Sequence, residues 1–431
     1  MSAEAVSPDW LADLGSHTRA LEESIGEPAS DWRERLIQNQ KGIKGCLQNV
    51  LVALEYAPEW KGVLHFDESA LQVVAKASPP WDSRPVPFPW RDDDDVRAAA
   101  WMQQQGIMVS KEIAGQAIQT VARVFSFHPI RQYLEGLEWD GIARIDDWLT
   151  LYLSADPSDY SRAVGAKWLI GAVARIFRPG CKNDICLVLE GPQGLLKSTA
   201  LKTLTDPWFT DEISDLGTKD ASMQVRGVWI IELAELDAMG RPEASRTKAF
   251  MSRSTDRYRP PYGRHLIEVP RESVFAGTVN HDAYLKDETG GRRFWPIACG
   301  PIRIDDLQRD RDQIWAEAVV RFRAGEKWWI DSPELSAAAT EEQQQRYDED
   351  GWQPLIADWI EGREYVTIDQ ILRSCIEKMP RDWNQGDKTR VARCLRALGW
   401  TRKRASKDDR GHREWQYRPG PSVRSGAPPT A

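Results

Sequence analysis

The chain has 431 residues, which is enough for two or three domains and at least one large hydrophobic core. Its formal net charge is −8 and 41% of its residues are hydrophobic, which excludes both a basic protein that coats nucleic acid and a disordered chain. From Arg381 to the end, however, 13 Lys and Arg stand against 5 Asp and Glu, so this segment carries +8 and the preceding residues carry −16. The last part of the chain therefore has the charge balance of an anion-binding surface.

Cysteine usage and hydropathy indicate the compartment. The six cysteines are scattered without a C-x-x-C pair, which argues against a zinc ribbon and against a secreted disulfide framework. No apolar run approaches the roughly 18 residues of a membrane span, and the N-terminus lacks a basic, apolar signal pattern. We expect a protein of the reducing cytoplasm that makes no membrane contact.

The first two segments are predicted to be an arm and a helical domain. Residues 1–35 are polar and are predicted to be a flexible arm. Residues 36–150 are predicted to form a mainly helical domain, because the apolar residues of SKEIAGQAIQTVARVF recur at four- and three-residue steps along one helix face. Prolines exclude a helix in SPPWDSRPVPFPWRDDDD (78–95), and its four aspartates are expected at a loop or helix start rather than around a metal ion.

Residues 151–353 are predicted to form an α/β domain of the P-loop NTPase (AAA+ or helicase-like) class. The runs DICLVLEG, GVWIIELAEL (227–236) and ESVFAGTVNH (272–281) are apolar and end in polar residues, as strands of a parallel sheet do. Between the second and third runs, RYRPPYGRH (257–265) contains Pro-Pro and Tyr-Gly pairs, which indicate a hairpin or loop.

Residues 354–420 are predicted to form a winged-helix-like domain, followed by a disordered tail at 421–431. VTIDQILRSCI and DKTRVARCLRALGW are amphipathic, and WTRKRA and REWQYRP are expected to pair as strands across DDRG. In such domains the second helix and the wing carry the basic residues that contact DNA. The predicted DNA contacts here are Arg390, Arg393, Arg402, Lys403 and Arg404.

One segment is one residue short of the Gly-x-x-x-x-Gly-Lys-Ser/Thr phosphate loop. EGPQGLLKSTALKT (190–203) follows an apolar strand, and Leu196 stands where the second glycine belongs. In such a loop, consecutive backbone N–H groups and the N-terminus of the next helix bind phosphate. The residues predicted to bind ATP here are Gly191, Gln193, Gly194, Lys197, Ser198 and Thr199. Lys197 is expected to reach the β- and γ-phosphates, and Ser198 to hold Mg²⁺; the alternative is an ordinary turn between a strand and a helix.

Leucine at position 196 restricts the loop to negative φ unless the backbone accepts strain of order 1 kcal/mol. We expect a slightly wider turn that directs Leu196 into the apolar space beside the strand, near Leu195 or Leu201. A site of this kind would bind ATP, but less tightly than one with glycine.

Polar residues at the ends of the other predicted strands complete a site for hydrolysis. Glu232 and Glu235 are candidates to organise Mg²⁺ and to activate water, and Asn280 is a candidate sensor of the γ-phosphate. Arg292 and Arg293 follow a Gly-Gly turn, which suits an arginine finger. Taken singly, Glu232 and Glu235 are more typical of an exposed charge pair at a helix start, and Asn280 is more typical of a turn. The alternative for the two arginines is surface ion pairs. The order of all these residues along the chain favours a nucleoside triphosphatase.

The segment RYRPPYGRH is a second candidate contact with DNA. Arg257, Arg259 and Arg264 are expected to contact phosphates, and Tyr258 and Tyr262 to stack on bases. The alternative is a structural hairpin packed on the sheet.

Several of these motifs together resemble the virulence-associated E family of phage and mobile-element proteins. They are FHPIRQYLEGLEWDGIARIDDWL, LEGPQG, GVWIIELAELDA, RYRPPYGR and FAGTVNHDAYLKDETGGRRFWPI, within residues 110–310. That family is related to superfamily-three-like helicases. The resemblance implies roles for Lys197 and Ser198 in the phosphate loop, Glu232 and Glu235 at the acidic strand end, Asn280 as sensor, and Arg292 or Arg293 as the finger. Leu196 departs from the usual glycine.

These observations favour a helicase-type ATPase that uses ATP and Mg²⁺, acts on single-stranded or forked DNA and assembles as a homo-oligomeric ring. Two alternatives stay open. A DNA-binding module that keeps the fold as a scaffold without ATP turnover is favoured by Leu196. A small-molecule P-loop kinase would leave the basic C-terminal segment unexplained.

Overall fold

The computed structural model describes residues 31–213, 218–234, 236, 241–260, 265–280, 291–346, 351–404 and 415–420. The buried hydrophobic residues group into clusters that follow the chain, spanning Trp32 to Ala122, Ile130 to Ala339 and Ile356 to Tyr417. Within the described residues, no helix combines the length and the apolarity needed to span a membrane. The clusters define an N-terminal, a central and a C-terminal part.

The N-terminal part combines helices with a small sheet. Its elements are β1 (Gln38–Asn39), β2 (Gly42–Ile43), α1 (Leu47–Tyr56), β3 (Leu64–Asp67), β4 (Gln72–Ala75), β5 (Phe88–Pro89), α2 (Asp92–Gln104), α3 (Lys111–Val124) and β6 (Ser126–Phe127), with 3-10 turns at Trp32–Arg35 and Pro58–Trp60. Strands β5, β4, β3 and β6 lie side by side in this order, while β1 pairs with β2.

Helices make up most of the regular structure over residues 36–150, but the small sheet was not predicted. The strands of the small sheet are only 2 to 4 residues long, too short to show a period in the sequence. The core of this part ends at Ala122, so the packing boundary lies before Ile130 rather than at residue 150. Two local predictions are confirmed, since α2 begins at Asp92 and α3 buries one apolar face.

The central part is built around a parallel sheet. Its elements are α4 (Pro129–Glu135), α5 (Trp148–Leu153), α6 (Asp159–Phe177), β7 (Cys186–Glu190), α7 (Lys197–Thr205), β8 (Phe209–Thr210), α8 (Lys219–Gln224), β9 (Ile230–Leu233), α9 (Arg241–Met251), β10 (Thr255–Tyr258), β11 (Ile267–Pro270), β12 (Val274–Val279), β13 (Phe294–Ala298), α10 (Ile304–Arg323) and α11 (Pro333–Gln345), with a 3-10 turn at Gly291–Arg293. The sheet order is β13, β7, β12, β9, β8, and all its pairs are parallel.

Both faces of this sheet are covered. Along β7, Leu187 and Leu189 pack into the cluster that contains α6 and α10, whereas Cys186 and Val188 pack into a cluster on the opposite face. A strand buried on both faces reads as an unbroken apolar run, which is why the three central strands were recognisable in the sequence. The prediction of an α/β fold with a parallel sheet is confirmed.

The topology places one crevice beside β7. The chain leaves β7 for β8 and β9 on one side, returns through β12, and then adds β13 on the other side of β7. In open α/β sheets, ligands bind outside the carboxyl ends of the strands at such a switch point. The loop that follows β7 lies there, as do the residues that follow β9 and β12.

A hairpin projects from the central part between β9 and β12. Strands β10 and β11 pair antiparallel from Thr255 opposite Pro270 to Tyr258 opposite Ile267, which confirms the hairpin predicted for RYRPPYGRH. Residues 261–264 at its turn lie outside the described residues.

The C-terminal part consists of α12 (Gln353–Ile360), α13 (Ile368–Ser374), α14 (Gln385–Ala397), β14 (Trp400–Arg404) and β15 (Trp415–Pro419), with a 3-10 turn at Pro380–Asp382. Strands β14 and β15 pair antiparallel, and Val366 bridges to Tyr417. The predicted helices and strand pair are therefore present. Their assignment to the winged-helix class stays a prediction.

Candidate functional site

The loop between β7 and α7 has the backbone shape of a glycine loop. Gly191 and Gly194 have φ values of 140° and 88°. Leu196 has φ 66° and ψ 28°, which lies in the left-handed region. A non-glycine residue in this region costs on the order of 1 kcal/mol. The loop therefore has the conformation of a loop with glycine at this position, and Leu196 bears the backbone strain.

The direction predicted for the Leu196 side chain is wrong. This side chain is 51% exposed, so it points to solvent instead of packing near Leu195 or Leu201. Because the left-handed backbone turns the side chain outward, the leucine lies at the open rim of the loop.

The backbone of the loop is available to an anion. Among the described residues, the N–H groups of Gly194, Leu195 and Leu196 donate to no protein acceptor. Helix α7 begins at Lys197, so the positive end of its dipole faces the same space. Successive free N–H groups at a helix N-terminus form a phosphate-binding concavity. The other predicted loop residues, Gln193, Ser198 and Thr199, are exposed beside it.

Lys197 is enclosed by this loop and is 6% exposed. Its ammonium donates to the carbonyl oxygen of Gly191 at 2.6 Å and to that of Pro192 at 3.0 Å. It also lies 3.3 Å from Oδ1 of Asn280, at the end of β12. The structure thus brings together the predicted phosphate-loop lysine and the predicted sensor.

Ser198 and Glu232 meet across the crevice. The Ser198 hydroxyl donates to Oε1 of Glu232 at 2.6 Å, and the hydroxyl of Thr278 donates to the same oxygen at 2.6 Å. Glu232 is 2% exposed, and within the described part of the chain its Oε2 has no hydrogen-bond partner. Leaving a buried carboxylate oxygen unpaired is costly. A carboxylate oxygen beside a hydroxyl suits Mg²⁺, so Ser198 and Glu232 fit the predicted metal role.

The base of the loop is fixed by a buried ion pair. Glu190, the last residue of β7, is 3% exposed. Arg346, which follows α11, donates to one of its carboxylate oxygens from Nε at 2.8 Å and to the other from Nη2 at 2.9 Å. The N–H of Cys299 donates to the Glu190 carbonyl at 2.9 Å. Burial raises the pKa of Cys299 to about 12, so its thiol stays neutral near Lys197.

Sequence reasoning missed Thr278, Glu190 and Arg346. Thr278 had a usable signal, because it lies two residues before Asn280 and strand alternation places both on the same side. Arg346 had none, since it is 156 positions from Glu190.

The two predicted finger arginines differ in their surroundings. Nε of Arg293 lies 3.2 Å from Oδ2 of Asp184 and 3.1 Å from the Ser252 hydroxyl. Arg292 is exposed. Both precede β13, whose first residue, Phe294, pairs with Cys186 at the start of β7. They therefore lie at the amino edge of the sheet, away from the phosphate loop of their own chain.

The residues predicted to contact DNA from the β10–β11 hairpin are not equivalent. Arg257 and Arg259 are exposed. Tyr258 is 4% exposed and its hydroxyl accepts a hydrogen bond from Arg226, so base stacking by this ring does not fit the described conformation. Burial also raises the pKa of Tyr258. Tyr262, Arg264 and the second predicted acid, Glu235, lie outside the described residues.

In the C-terminal part the basic residues divide into two groups. Arg390 and Arg393 on α14 are partly buried, and the Arg390 guanidinium lies 3.9 Å from the ring centroid of Trp352. Arg402, Lys403 and Arg404 on β14 are all exposed. The strand thus presents more accessible positive charge than the helix does.

Comparison with solved structures found distant matches. Two apo structures of the NrS-1 C-terminal region, one of them of residues 305–718, are 12% and 13% identical to this chain, each with a TM-score of 0.45 and covering 84% of this chain and 97% of that chain. A third apo structure of that region is 11% identical, with a TM-score of 0.40, and covers 83% of this chain and 96% of that chain. Likeness of this extent carries no argument about what this chain does.

Comparison with curated protein sequences found no match. Residues 134–348 match the model of the virulence-associated protein E-like domain. This span contains the parallel sheet, the phosphate-loop segment and the Glu232 cluster, together with most of the motifs that carried the resemblance in the sequence. The chain therefore contains a virulence-associated protein E-like domain.

Proposed function

We propose that this protein is an ATP-dependent DNA helicase-type ATPase of phage or mobile-element replication. The observation that carries the proposal is the Ser198–Glu232 contact beside a glycine-shaped loop. It puts a hydroxyl, a buried carboxylate and a lysine around one concavity at the carboxyl edge of a parallel sheet. Nucleoside triphosphatases need this combination, because positioning and charge stabilisation supply most of the catalysis of phosphoryl transfer.

Each group around the loop would contact a different part of the nucleotide. The N–H groups of residues 194–196 and the N-terminus of α7 would bind the phosphates. Lys197 would exchange the carbonyl oxygens of Gly191 and Pro192 for the β- and γ-phosphates. Ser198 and Oε2 of Glu232 would hold Mg²⁺, which when bound neutralises charge on the phosphates. Asn280, already in contact with Lys197, would orient the γ-phosphate or the attacking water.

The proposal includes a site shared between subunits. The five residues of β13 span roughly 16 Å at about 3.3 Å per residue, so Arg292 is too far from the phosphate loop of its own chain to reach it. If an arginine from this turn stabilises the transferring phosphate, it comes from a neighbouring subunit. Arg292 is the stronger candidate because Asp184 and Ser252 hold Arg293. A heterologous contact of this kind gives a ring when its rotation closes, and a ring is the assembly we propose.

DNA is the proposed polymer substrate. The exposed cations Arg257 and Arg259 on the β10–β11 hairpin and Arg402, Lys403 and Arg404 on β14 support phosphate contacts. Nucleotide-driven movement of the hairpin would then shift DNA relative to the ring.

A DNA-binding module without ATP turnover is the second candidate function. It is favoured by Leu196, which adds strain and places an apolar side chain at the rim of the loop. This candidate predicts DNA binding that does not respond to ATP.

ATP hydrolysis with and without single-stranded DNA tests the proposal. We expect turnover by the parent protein, stimulation by the DNA, and loss of both nucleotide binding and turnover in Lys197→Ala. Lys202→Ala is a matched control, because Lys202 is an exposed lysine on the same helix. Binding is measured by calorimetry with a non-hydrolysable ATP analogue. If neither the parent nor Lys197→Ala binds or hydrolyses ATP while DNA binding persists, the binding-module function is correct instead.

A further inference from the structure

The tip of the β14–β15 pair, meaning its described end at Arg404 and Trp415, carries a tryptophan that the core leaves open. In the register of the pair, Arg404 lies opposite Trp415 and Arg402 lies opposite Tyr417, which places these four side chains on one face. At the base of that face, Trp400 is 5% exposed and Tyr417 is 3% exposed. Trp415 is 46% exposed. The aromatic face is thus buried at its base and accessible at its tip.

Two arginines fix the exposed ring. The guanidinium of Arg402 lies 4.1 Å from the Trp415 ring centroid, and that of Arg404 lies 5.5 Å from it. Cation–π contacts of this kind hold an indole in one orientation. Lys403 lies on the opposite face of the strand and is exposed. On the face of Trp415, the tip therefore combines a flat apolar surface with the two positive charges of Arg402 and Arg404.

We propose that Trp415 stacks on an unpaired base of single-stranded DNA, while Arg402 and Arg404 contact the adjoining phosphates. In a duplex the base faces are already stacked on one another, and only base edges are reached from the grooves. An exposed ring beside backbone-binding cations is the arrangement by which proteins hold single strands without reading sequence. The inference rests on the proposed function, and it assigns the unpaired strand to the hairpin tip.

The charge of the segment favours DNA over a protein as the occupant. From Arg381 onward the chain carries 13 basic and 5 acidic residues, whereas the rest of the protein is acidic. Single-stranded DNA offers regularly spaced phosphates that match the cations and flat bases that match the ring. Self-association through Trp415 is the competing explanation.

The experiment measures the affinity of the full-length protein for three labelled oligonucleotides by fluorescence anisotropy. They are an oligothymidylate, an abasic strand of the same length and a duplex of the same length. The variants are Trp415→Ala and Trp415→Phe. Trp329→Ala is the matched control, because Trp329 is also 46% exposed but lies in the central part.

We expect Trp415→Ala to weaken binding to the oligothymidylate roughly 5- to 150-fold, the range for one base–aromatic stack. Phenylalanine should restore most of that loss, since it keeps a ring. On the abasic strand, which has phosphates but no bases, parent and Trp415→Ala should bind equally. Duplex affinity should change little, and Trp329→Ala should match the parent throughout.

Three results would overturn the inference. They are an unchanged affinity of Trp415→Ala for the oligothymidylate, an equal loss on the abasic strand, which would show that Trp415 only supports the hairpin, and a loss of self-association without any change in DNA affinity. Basal ATP hydrolysis without DNA, measured on the same samples, keeps the two proposals separate. Absent hydrolysis with Trp415-dependent stacking contradicts only the ATPase proposal, whereas normal hydrolysis without a Trp415 effect contradicts only this one.

Discussion

Ser198 and Glu232 are joined by a 2.6 Å hydrogen bond, although they are 34 positions apart in the chain. Thr278 donates to the same carboxylate oxygen, so Glu232 links the phosphate-loop helix, β9 and β12 at one edge of the sheet. Two hydroxyls hold the carboxylate in place through Oε1, while Oε2 is buried with no partner among the described residues. The second oxygen is thus positioned for a ligand from outside the chain.

Replacing Glu232 by glutamine should separate binding from hydrolysis. Glutamine keeps the size of the side chain and an oxygen that accepts from Ser198 and Thr278, but it removes the negative charge. We expect ATP hydrolysis to fall by roughly 100-fold or more, while the non-hydrolysable analogue still binds. Glu268→Gln is the control, because Glu268 is 65% exposed on the β10–β11 hairpin. Normal turnover in Glu232→Gln would remove this residue from the proposed mechanism.

The left-handed backbone of Leu196 predicts an order among substitutions. Glycine relieves strain of order 1 kcal/mol but increases the entropy of the unfolded chain, so the free energy of unfolding should stay within about 1 kcal/mol of the parent. Leu196→Gly should bind ATP at least as tightly, since it also removes the exposed side chain at the rim. Leu196→Val should bind more weakly, because β-branched residues disfavour positive φ.

Calorimetry and thermal unfolding of these variants check the prediction. Leu71→Gly is a useful comparison, since Leu71 also has positive φ, at 53°, but lies in the N-terminal part. It should leave nucleotide affinity unchanged. Weaker ATP binding by Leu196→Gly than by the parent would mean that the leucine is part of an adapted loop rather than a handicap.

The Glu190–Arg346 pair should matter for stability. Breaking a buried ion pair by removing one partner costs up to about 3 to 5 kcal/mol, and Arg346→Met also breaks the contact of Arg346 with Glu342. Arg346→Met should therefore lower the free energy of unfolding by that amount, and Arg346→Met combined with Glu190→Gln should recover part of it. Denaturant unfolding measures both.

Arg257 and Glu268 supply the matched exposed pair. Their side chains are 66% and 65% exposed, so Arg257→Met should change the free energy of unfolding by less than about 1 kcal/mol. Equal effects of Arg346→Met and Arg257→Met would show that the Glu190–Arg346 pair does not hold the base of the loop.

The parts of the fold that the sequence revealed are those with long, regular apolar patterns. Strands β7, β9 and β12 are mostly apolar because both faces of the sheet are covered, and polar residues lie at or near their carboxyl ends. Lys197, Ser198, Glu232 and Asn280 could be named for the same reason, since parallel strands bring their ends to one edge.

What the sequence did not reveal depends on short elements and distant contacts. The strands of the N-terminal sheet are too short to show alternation, and the left-handed turn at Leu196 has no signature in a residue that normally avoids it. Burial of Tyr258 against Arg226 follows from tertiary packing, and it agrees with strand alternation, which places Tyr258 on the face opposite Arg257 and Arg259.

The cations of β14 should set part of the salt dependence of DNA binding. Each phosphate contact contributes about 0.7 to the logarithmic slope on single strands. Replacing Arg402, Lys403 and Arg404 together by glutamine should therefore reduce the slope by about 2 on an oligothymidylate. Affinity measured over a series of salt concentrations gives this slope directly.

A charge-matched control distinguishes local contacts from net charge. Lys182, Arg303 and Arg309 are 76%, 54% and 65% exposed in the central part. Replacing these three by glutamine removes the same charge and should leave the slope nearly unchanged. Equal slopes for the two triple variants would show that the cations of β14 face solvent and do not contact phosphates.

Mixing two inactive variants tests whether neighbouring subunits share a site. Arg292 and Lys197 lie at opposite edges of one sheet, so Arg292→Ala and Lys197→Ala should each abolish turnover in pure samples. Mixed rings would contain some sites with an intact Lys197 facing an intact Arg292, and ATP hydrolysis should reappear on mixing. Arg293→Ala is the comparison, because its partner Asp184 is in the same chain and its loss should affect stability first. No recovery in mixtures that do assemble would contradict a shared site.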